Sequence, residues 1–394
     1  MTAMVWNTAG KARRWLAAGM LGAALAGCTV IPESAEPVGQ MPPVATTPAP
    51  TPTEQPDALP QDEERQRIAL LVPLTGPNAD VGQAIANATT MALLDTNAAN
   101  LRITTYDTAS QPGGAAARAI TDGNRLILGP LLAENINQVV AQARPAGVPL
   151  LAFSNDVTKA SRDVFLLGLR PAQTVDRVVR HARANGANRF AALIPDGEYG
   201  RRAELALMQT LDEAGGRLVA VERYDRGNTS IVSAAGRLAA GEAYDAVLVA
   251  DSARLVATAA PTLKTSGNVR ILGTELWSGD MVAARSPALR GAWFAAFSDD
   301  RYRQFYDSYR TRFGEAPPRI ATLGYDAVLL TLNVARDWQS GQPFPVGELD
   351  QDGGFLGIDG AFRFNRIGIG ERVVEVREVR DGSVAVVSEA PAGF

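Results

Sequence analysis

The chain has 394 residues, 46% of them hydrophobic and 20% charged, which is the composition of an ordinary globular protein long enough for two domains. Its formal net charge is −4, and it becomes −7 without Lys11, Arg13 and Arg14, because those three residues are all positive. A mildly acidic body argues against nucleic acid as a partner, so none is expected.

The N-terminus has the pattern of a secretory signal. Basic residues precede the apolar run Trp15–Leu25, which is followed by small residues and Cys28. An apolar run of that length is too short to span a bilayer as a stable helix. We therefore predict that residues 1–27 are a signal peptide.

The boundary Leu25-Ala26-Gly27-Cys28 resembles the lipobox of bacterial lipoproteins, in which the cysteine becomes the new N-terminus and carries acyl chains. Cys28 is the only cysteine in the sequence, so no intrachain disulfide can form despite the exported location. The resemblance implies lipid attachment at Cys28 and a place in the periplasm, anchored to the outer or the inner membrane. The alternative is a stray cysteine near an ordinary cleavage site.

Residues 28–64 are rich in proline and poor in large apolar residues. Nine of the chain's 24 prolines lie between Thr29 and Glu64. Such a composition cannot bury a core and favours extended conformations, so we predict a disordered tether. Fully extended, it would hold the folded body on the order of 100 Å from a membrane, at ~3.1 Å per residue.

From Arg67 onward, strand and helix patterns alternate. The apolar run Ile68–Leu74 predicts a buried strand, and the segment Ala79–Asp95 has apolar residues spaced as on one helix face. Within Arg125–Asn155, two apolar runs flank another helical segment. This alternation predicts βαβ units and a parallel sheet. The pattern restarts near residue 171, which predicts a second lobe of similar plan.

The C-terminal part differs from the two lobes. Thr322–Trp338 reads as a long apolar helix, and Ala361–Val387 alternates in a way that predicts a small antiparallel meander. The predicted helix Arg301–Phe313 carries aromatic residues at helical spacing, which favours a stripe facing the core. A partner surface is the alternative, because arginines lie between the rings.

In open α/β sheets, ligands bind beyond the carboxyl ends of the strands, so residues at those ends are the candidates for a binding cleft. The candidates are Thr75, Leu131, Leu132, Ser154 and Asn155 in the first lobe and Tyr199, Asp251, Glu275 and Trp277 in the second. The carboxylates would hold a cation or an ammonium group, and the tryptophan would cover an apolar face. For any one of them, a helix cap, a turn residue or a core aromatic is the commoner role.

Catalytic chemistry finds little support in the sequence. The only histidine, His181, lies near Arg180 and Arg183 in a predicted helix, which favours a solvated face over a role as a base. The motifs HExxH, CxxC and GxxxxGK do not occur. We predict no catalytic residue, no metal site and no cofactor.

The segment from about Arg67 to Val387 resembles the type I periplasmic-binding-protein fold, the family of the branched-chain amino acid receptors. The resemblance rests on IALLVPLTGPNADVGQAIANA, ILGP, VPLLAFS, IPDGEYGRRAELALMQTLDEAGG and GIDGAFRFNRIGIGERVVEV. It implies an α/β fold of two Rossmann-like lobes, whose parallel sheets are joined by three crossovers around a cleft. On that plan we predict lobe 1 from residues 65–170 and 298–348, and lobe 2 from residues 171–297 and 349–394.

Within that superfamily, ILGPLLAENI followed by VPLLAFSN is similar to the penicillin-binding-protein activator lipoproteins. Amino acid receptors typically place a serine soon after the Gly-Pro, where its hydroxyl and nearby amides hold the ligand carboxylate. Here Leu131, Leu132 and Ala133 hold those positions, and the acidic Glu134 follows.

The resemblance therefore implies a non-enzymatic, membrane-anchored lipoprotein that regulates a peptidoglycan synthase by contact with a penicillin-binding protein. The alternative is a substrate-binding lipoprotein of an ABC importer. That protein would meet a permease and would take an amino acid or a related small polar solute in its cleft.

Overall fold

The computed structural model describes residues 65–336, 338–391 and 393–394. The expected signal peptide, Cys28 and the tether of residues 28–64 lie outside these ranges, so their roles stay predictions. In the described ranges, no helix combines the length and the apolar character needed to cross a membrane.

Lobe 1 is built on a parallel sheet. Its elements from residue 65 are β1 (Gln66–Val72), α1 (Ala79–Asp95), β2 (Leu101–Asp107), α2 (Pro112–Thr121), β3 (Leu126–Leu128), α3 (Ala133–Ala143), β4 (Leu150–Ala152) and β5 (Val164–Leu166). The strand order is β2-β1-β3-β4-β5, and all neighbouring pairs are parallel. Along β1, Ile68 and Leu70 face one hydrophobic cluster while Ala69 and Leu71 face another, because helices cover both faces of the sheet.

Lobe 2 repeats this plan. Its elements are α4 (Pro171–Ala184), β6 (Arg189–Pro195), α5 (Glu198–Ala214), β7 (Arg217–Tyr224), α6 (Ser230–Ala239), β8 (Ala246–Val249), α7 (Ala253–Leu263), β9 (Arg270–Gly273), α8 (Met281–Arg285) and β10 (Trp293–Ala296). The parallel strands run in the order β10-β9-β8-β6-β7. The predicted second parallel-sheet lobe is confirmed.

The C-terminal segment divides between the lobes. Its elements are α9 (Asp300–Phe313), α10 (Thr322–Val334), β11 (Phe355–Gly357), β12 (Gly360–Phe364), β13 (Gly370–Arg372), β14 (Glu375–Arg380) and β15 (Ser383–Ser388). Strands β11 to β13 form a small antiparallel sheet, whereas β14 and β15 extend the lobe 2 sheet beyond β10. The single meander predicted over Ala361–Val387 is therefore wrong, because β14 pairs with the distant β10.

The small sheet packs against lobe 1. Phe355, Phe362 and Phe364 belong to the same hydrophobic cluster as Ile68 of β1. The lobe division predicted from sequence places residues 349–394 in lobe 2. In the structure, the chain passes from lobe 1 to lobe 2 after β5, back to lobe 1 after β10, and to lobe 2 again after β13.

In each lobe, a glycine contact of the same kind places the helix that follows the first strand close to the end of that strand. A Cβ atom added at Gly82 in α1 would lie 1.7 Å from the carbonyl oxygen of Pro73, and one added at Gly200 in α5 would lie 1.8 Å from that of Pro195. Only glycine allows such close approach of two backbones. The chain just after β1 and at the end of β6 therefore lies directly against α1 and α5.

The aromatic stripe of α9 faces the core, as its helical spacing predicts. Tyr302, Phe305 and Tyr309 are buried and share a cluster with Met91 of α1. Helix α9 therefore belongs to the packing of lobe 1.

The prediction that His181 lies on a solvated face is wrong. Its half-buried ring packs edge-on against Trp293 of β10, with 4.7 Å between the ring centroids. Burial, together with the charges of Arg177 and Arg270, lowers the pKa of His181.

Candidate functional site

The lobe 2 edge of the cleft centres on Glu275, which follows β9 and is buried. The Tyr199 hydroxyl donates to Glu275 Oε1 at 2.9 Å, and the Thr174 hydroxyl donates to Oε2. Tyr199 also lies 2.8 Å from the hydroxyl of Thr274. Burial raises the pKa of Glu275, against the opposing effect of these hydrogen bonds. Both carboxyl oxygens are thus engaged by side chains of lobe 2 itself.

Asp251, at the end of β8, is engaged in the same way. Its Oδ2 accepts from the Tyr224 hydroxyl at 2.7 Å and from Arg226 Nε at 2.7 Å. The indole N–H of the buried Trp277 donates to the Asp251 backbone carbonyl at 2.8 Å. Asp251 already holds a cation, which is Arg226.

Arg226 joins the two halves of this edge. Besides its ion pair with Asp251, its guanidinium lies 5.6 Å from the centroid of the Tyr199 ring. The structure therefore brings Tyr199, Asp251, Glu275 and Trp277 into one connected set. Sequence analysis missed Thr174, Tyr224 and Arg226, which complete it.

The lobe 1 edge is of a different kind. Thr75 is exposed and donates to Asp107 Oδ2 at 2.9 Å. Leu131 is half-buried and packs against the lobe 1 core. Leu132 stands at the N-cap of α3 and makes no side-chain cap, and the exposed Glu134 follows in the first turn. This helix N-terminus carries leucines and a negative charge where an anion would bind.

Ser154 and Asn155 follow β4. The buried Ser154 Oγ accepts from the Asp156 backbone N–H at 3.1 Å. Asn155 donates to the Leu169 carbonyl at 3.3 Å, and its own oxygen accepts from Arg202 of α5. Among the nine candidates, Asn155 is the one whose hydrogen bonds reach the other lobe in the part of the chain that the structure describes.

Arg202 is the residue that connects the lobes at this edge. Besides Asn155, its guanidinium lies 3.6 Å from Asp156 Oδ2 and 2.9 Å from Glu198 Oε1 of its own helix. Its side chain is 21% exposed, whereas that of the adjacent Arg201 is 66% exposed. Arg201 and Arg202 are adjacent in the sequence, and nothing in the sequence indicates which of them contacts lobe 1.

A cavity of about 700 Å³ lies beside this edge, between α9 on one side and α8 and the β14–β15 hairpin on the other. Trp277 is the one candidate residue in its lining. Over the described ranges, no group of three His, Cys, Asp or Glu residues is placed to hold a metal ion.

Residues 65–347 match the sequence profile of the periplasmic binding protein family. Among curated proteins, the chain is similar to the penicillin-binding protein activator LpoA of Serratia proteamaculans, with 34% identity over 124 residues, which are 31% of this chain and 18% of that protein. It is also similar to an uncharacterised protein of Rickettsia prowazekii, with 24% identity over 167 residues, which are 42% of this chain and 45% of that protein. The chain thus spans less than half the length of these curated relatives.

Two solved structures show the fold. The leucine-binding protein LivK of Thermotoga maritima superposes with a TM-score of 0.61 at 20% identity, covering 83% of this chain and 99% of that one. Full-length LpoA of Haemophilus influenzae gives a TM-score of 0.63 at 18% identity, covering 84% of this chain and 60% of that one. The chain belongs to the periplasmic binding protein family, and its two α/β lobes have the type I fold of that family.

Proposed function

We propose that this chain is a non-enzymatic periplasmic lipoprotein, anchored through Cys28, that regulates a peptidoglycan synthase by contact with a penicillin-binding protein. The observation that carries the proposal is made at the N-terminus of α3. Leu131 and Leu132 lie there, where amino acid receptors have a polar side chain that binds the ligand carboxylate. The similarity to LpoA, a penicillin-binding protein activator, supports this class of partner.

The chemistry of the cleft favours a protein partner over an amino acid. An amino acid needs donors for its carboxylate and an acceptor for its ammonium group. At the N-terminus of α3 in lobe 1, the leucines have no hydroxyl to donate to a ligand carboxylate, and the charge of Glu134 repels it. On the lobe 2 side, Glu275 and Asp251 already accept hydrogen bonds from neighbouring side chains.

The test is a pull-down and a glycan-polymerisation assay with the full chain and each penicillin-binding protein of the same cell. We expect one of these synthases to be captured and its polymerisation rate to rise. In cells, Cys28→Ala is expected to abolish activation, although the purified variant still captures the synthase. The absence of both capture and activation with every synthase would contradict the proposal.

The second candidate function is that of a substrate-binding lipoprotein for an ABC importer. It is favoured by the chain's coverage of 99% of the leucine-binding protein, against 60% of Haemophilus LpoA. A ligand at about 100-fold its Kd would add about 2.7 kcal/mol to the free energy of unfolding. A thermal-shift screen of amino acids, peptides and muropeptides tests this function, and an unchanged Tm across the panel excludes it for those solutes.

A further inference from the structure

The outer edge of the lobe 2 sheet is formed by β15, whose sequence SVAVVS carries no charge. Strand β7 forms the opposite edge and carries Arg217, Glu222 and Arg223. Charged residues on an edge strand oppose pairing with another chain, whereas an uncharged β-branched edge favours it. Of the two edges, β15 is the one suited to accept another strand.

The geometry of the β14–β15 hairpin shows which backbone groups of β15 are available. Arg380 and Ser383 flank a two-residue turn and pair with each other. Because opposite residues in an antiparallel ladder alternate between bonded and non-bonded pairs, Val384 and Val386 direct their N–H and C=O groups away from β14. Residue Val386 is 41% exposed.

The same two valines line the cavity of about 700 Å³. Four aromatic residues are among those that line it, Tyr302 and Tyr306 from α9 and Phe294 and Trp277 from lobe 2. A strand added to β15 would direct every second side chain into this cavity, because side chains alternate between the two faces of a sheet.

The charge of the cavity selects the kind of side chain. Its acidic lining residues outnumber its arginines six to two. Of the two arginines, Arg377 is fully engaged, since it binds Asp299, Glu375 and the Phe297 carbonyl. Asp307 and Glu389 are exposed, and their carboxylates have no hydrogen bond or ion pair within the described ranges. Unpaired carboxylates beside aromatic rings attract a cation.

We propose that β15 and this cavity bind an extended, basic segment of the partner synthase. The backbone of the segment pairs with the outer edge of β15, and a lysine or arginine side chain enters the cavity toward Asp307 and Glu389. Strand addition of this kind combines backbone affinity with side-chain specificity. This inference rests on the proposed function, because the synthase is the occupant.

The first test measures binding of a labelled peptide that alternates lysine and valine to the full chain. We expect it to bind at least about tenfold more tightly than the glutamate–valine counterpart. Asp300 lines the cavity together with Asp307 and Glu389. The triple variant Asp300→Lys, Asp307→Lys, Glu389→Lys is expected to lose at least about tenfold in affinity. The matched triple variant Asp212→Lys, Asp350→Lys, Asp352→Lys has the same change in net charge away from the cavity and is expected to bind as the original chain does. Equal losses in both variants would overturn the site.

The second test separates strand pairing from charge alone. The same lysine–valine peptide methylated at its backbone nitrogens keeps its charges but cannot donate hydrogen bonds to β15. We expect it to bind at least about tenfold more weakly. Strand addition would be overturned if the methylated peptide bound equally well. It would also be overturned if free lysine amide displaced the peptide fully, because the site would then be a pocket for small amines.

The third test uses the synthase. We expect the cavity triple variant to lose capture of the synthase and the matched triple variant to keep it. Equal capture by both would overturn this surface and leave the proposed function standing. If the original chain binds the peptide but neither captures nor activates any synthase, the proposed function fails and this occupant fails with it. A dimer that the cavity variant abolishes would make a second copy the occupant and would also overturn the proposal.

Discussion

At the end of β9 in lobe 2, the buried Glu275 accepts hydrogen bonds from Tyr199 and Thr174, whereas beyond β3 in lobe 1 the half-buried Leu131 packs against its own core. Both positions follow a parallel strand at the facing edges of the lobes, where ligand contacts are expected. At this position lobe 2 has a polar residue that its own side chains engage, and lobe 1 has an apolar residue. Residue type at a strand end therefore does not by itself identify a ligand contact.

One carboxylate of lobe 1 and one of lobe 2 have pKa values that are shifted in opposite directions. In lobe 1, the Arg144 guanidinium, 2.6 Å away, lowers the pKa of Asp163 to about 2. In lobe 2, burial raises the pKa of Glu275. Acid should therefore weaken the Asp163 contribution to stability, while a rise toward neutral pH should weaken that of Glu275.

The largest expected effect comes from removing the aromatic support of the lobe 2 edge. Trp277→Ala leaves a cavity in the core and removes the hydrogen bond to the Asp251 carbonyl, so we expect a loss of about 3–5 kcal/mol in the free energy of unfolding. The lobe 1 counterpart, Leu131→Ala, should lose about 1 kcal/mol, because Leu131 is half-buried. Urea denaturation measures both, and equal losses would contradict the comparison.

The second effect concerns the buried carboxylate of lobe 2. Asp251→Ala deprives the buried Tyr224 hydroxyl of its acceptor, which should lower the free energy of unfolding by about 1–3 kcal/mol. Asp212→Ala, at an exposed position on α5, should change it by no more than about 0.5 kcal/mol. Urea denaturation of the two variants separates the outcomes. A loss at Asp251 no larger than at Asp212 would mean that its hydrogen bonds add nothing.

Local patterns predicted the elements of both lobes well. Helix α1 was placed at its observed bounds, Ala79–Asp95, because turn residues precede an apolar face of helical period. The fate of β14 could not be predicted in this way. Strand β14 pairs with β10, which is distant in the sequence. The alternation of apolar and polar residues along a strand does not indicate which strand it pairs with.

The same limit applies to the candidate site. The strand-end rule located Tyr199 and Glu275, which the structure brings into contact. It could not find Thr174, which is 101 residues from Glu275 in the sequence, or choose Arg202 over Arg201. Such partners are determined by packing between elements and leave no local pattern.

The third effect is a change in pH dependence. The folded-state pKa of Glu275 is raised, so the stability that this group contributes is fully present below the unfolded pKa and is lost as pH rises through the folded one. Glu275→Gln removes this titration. As pH rises from 4 to 7, we expect the free energy of unfolding of the variant to increase relative to that of the original chain. Urea denaturation at both pH values measures this difference.

A variant in lobe 1 supplies the control of opposite sign. The folded-state pKa of Asp163 is lowered, so its contribution is present above the unfolded pKa and is lost as pH falls toward about 2. Asp163→Asn should cost at most about 1 kcal/mol at pH 7, because the Arg144 side chain is half exposed, and less at acid pH. If both variants showed the same sign of pH dependence, the opposite pKa shifts assigned to Asp163 and Glu275 would be wrong.

We expect the smallest effect on stability for Arg202→Ala. This variant tests the contact between the lobe 1 edge and the lobe 2 edge. This change removes the contacts of α5 with Asn155 and Asp156, and because the ion pair is partly exposed it should cost about 0.2–1 kcal/mol. The lobes lose a contact across the cleft, so we expect a larger radius of gyration by small-angle X-ray scattering. Arg201→Ala is the matched control, since Arg201 pairs with Glu198 of its own helix and should leave the scattering unchanged. Identical scattering from both variants would show that Arg202 does not hold the lobes together, and the lobe 1 edge would then be independent of lobe 2.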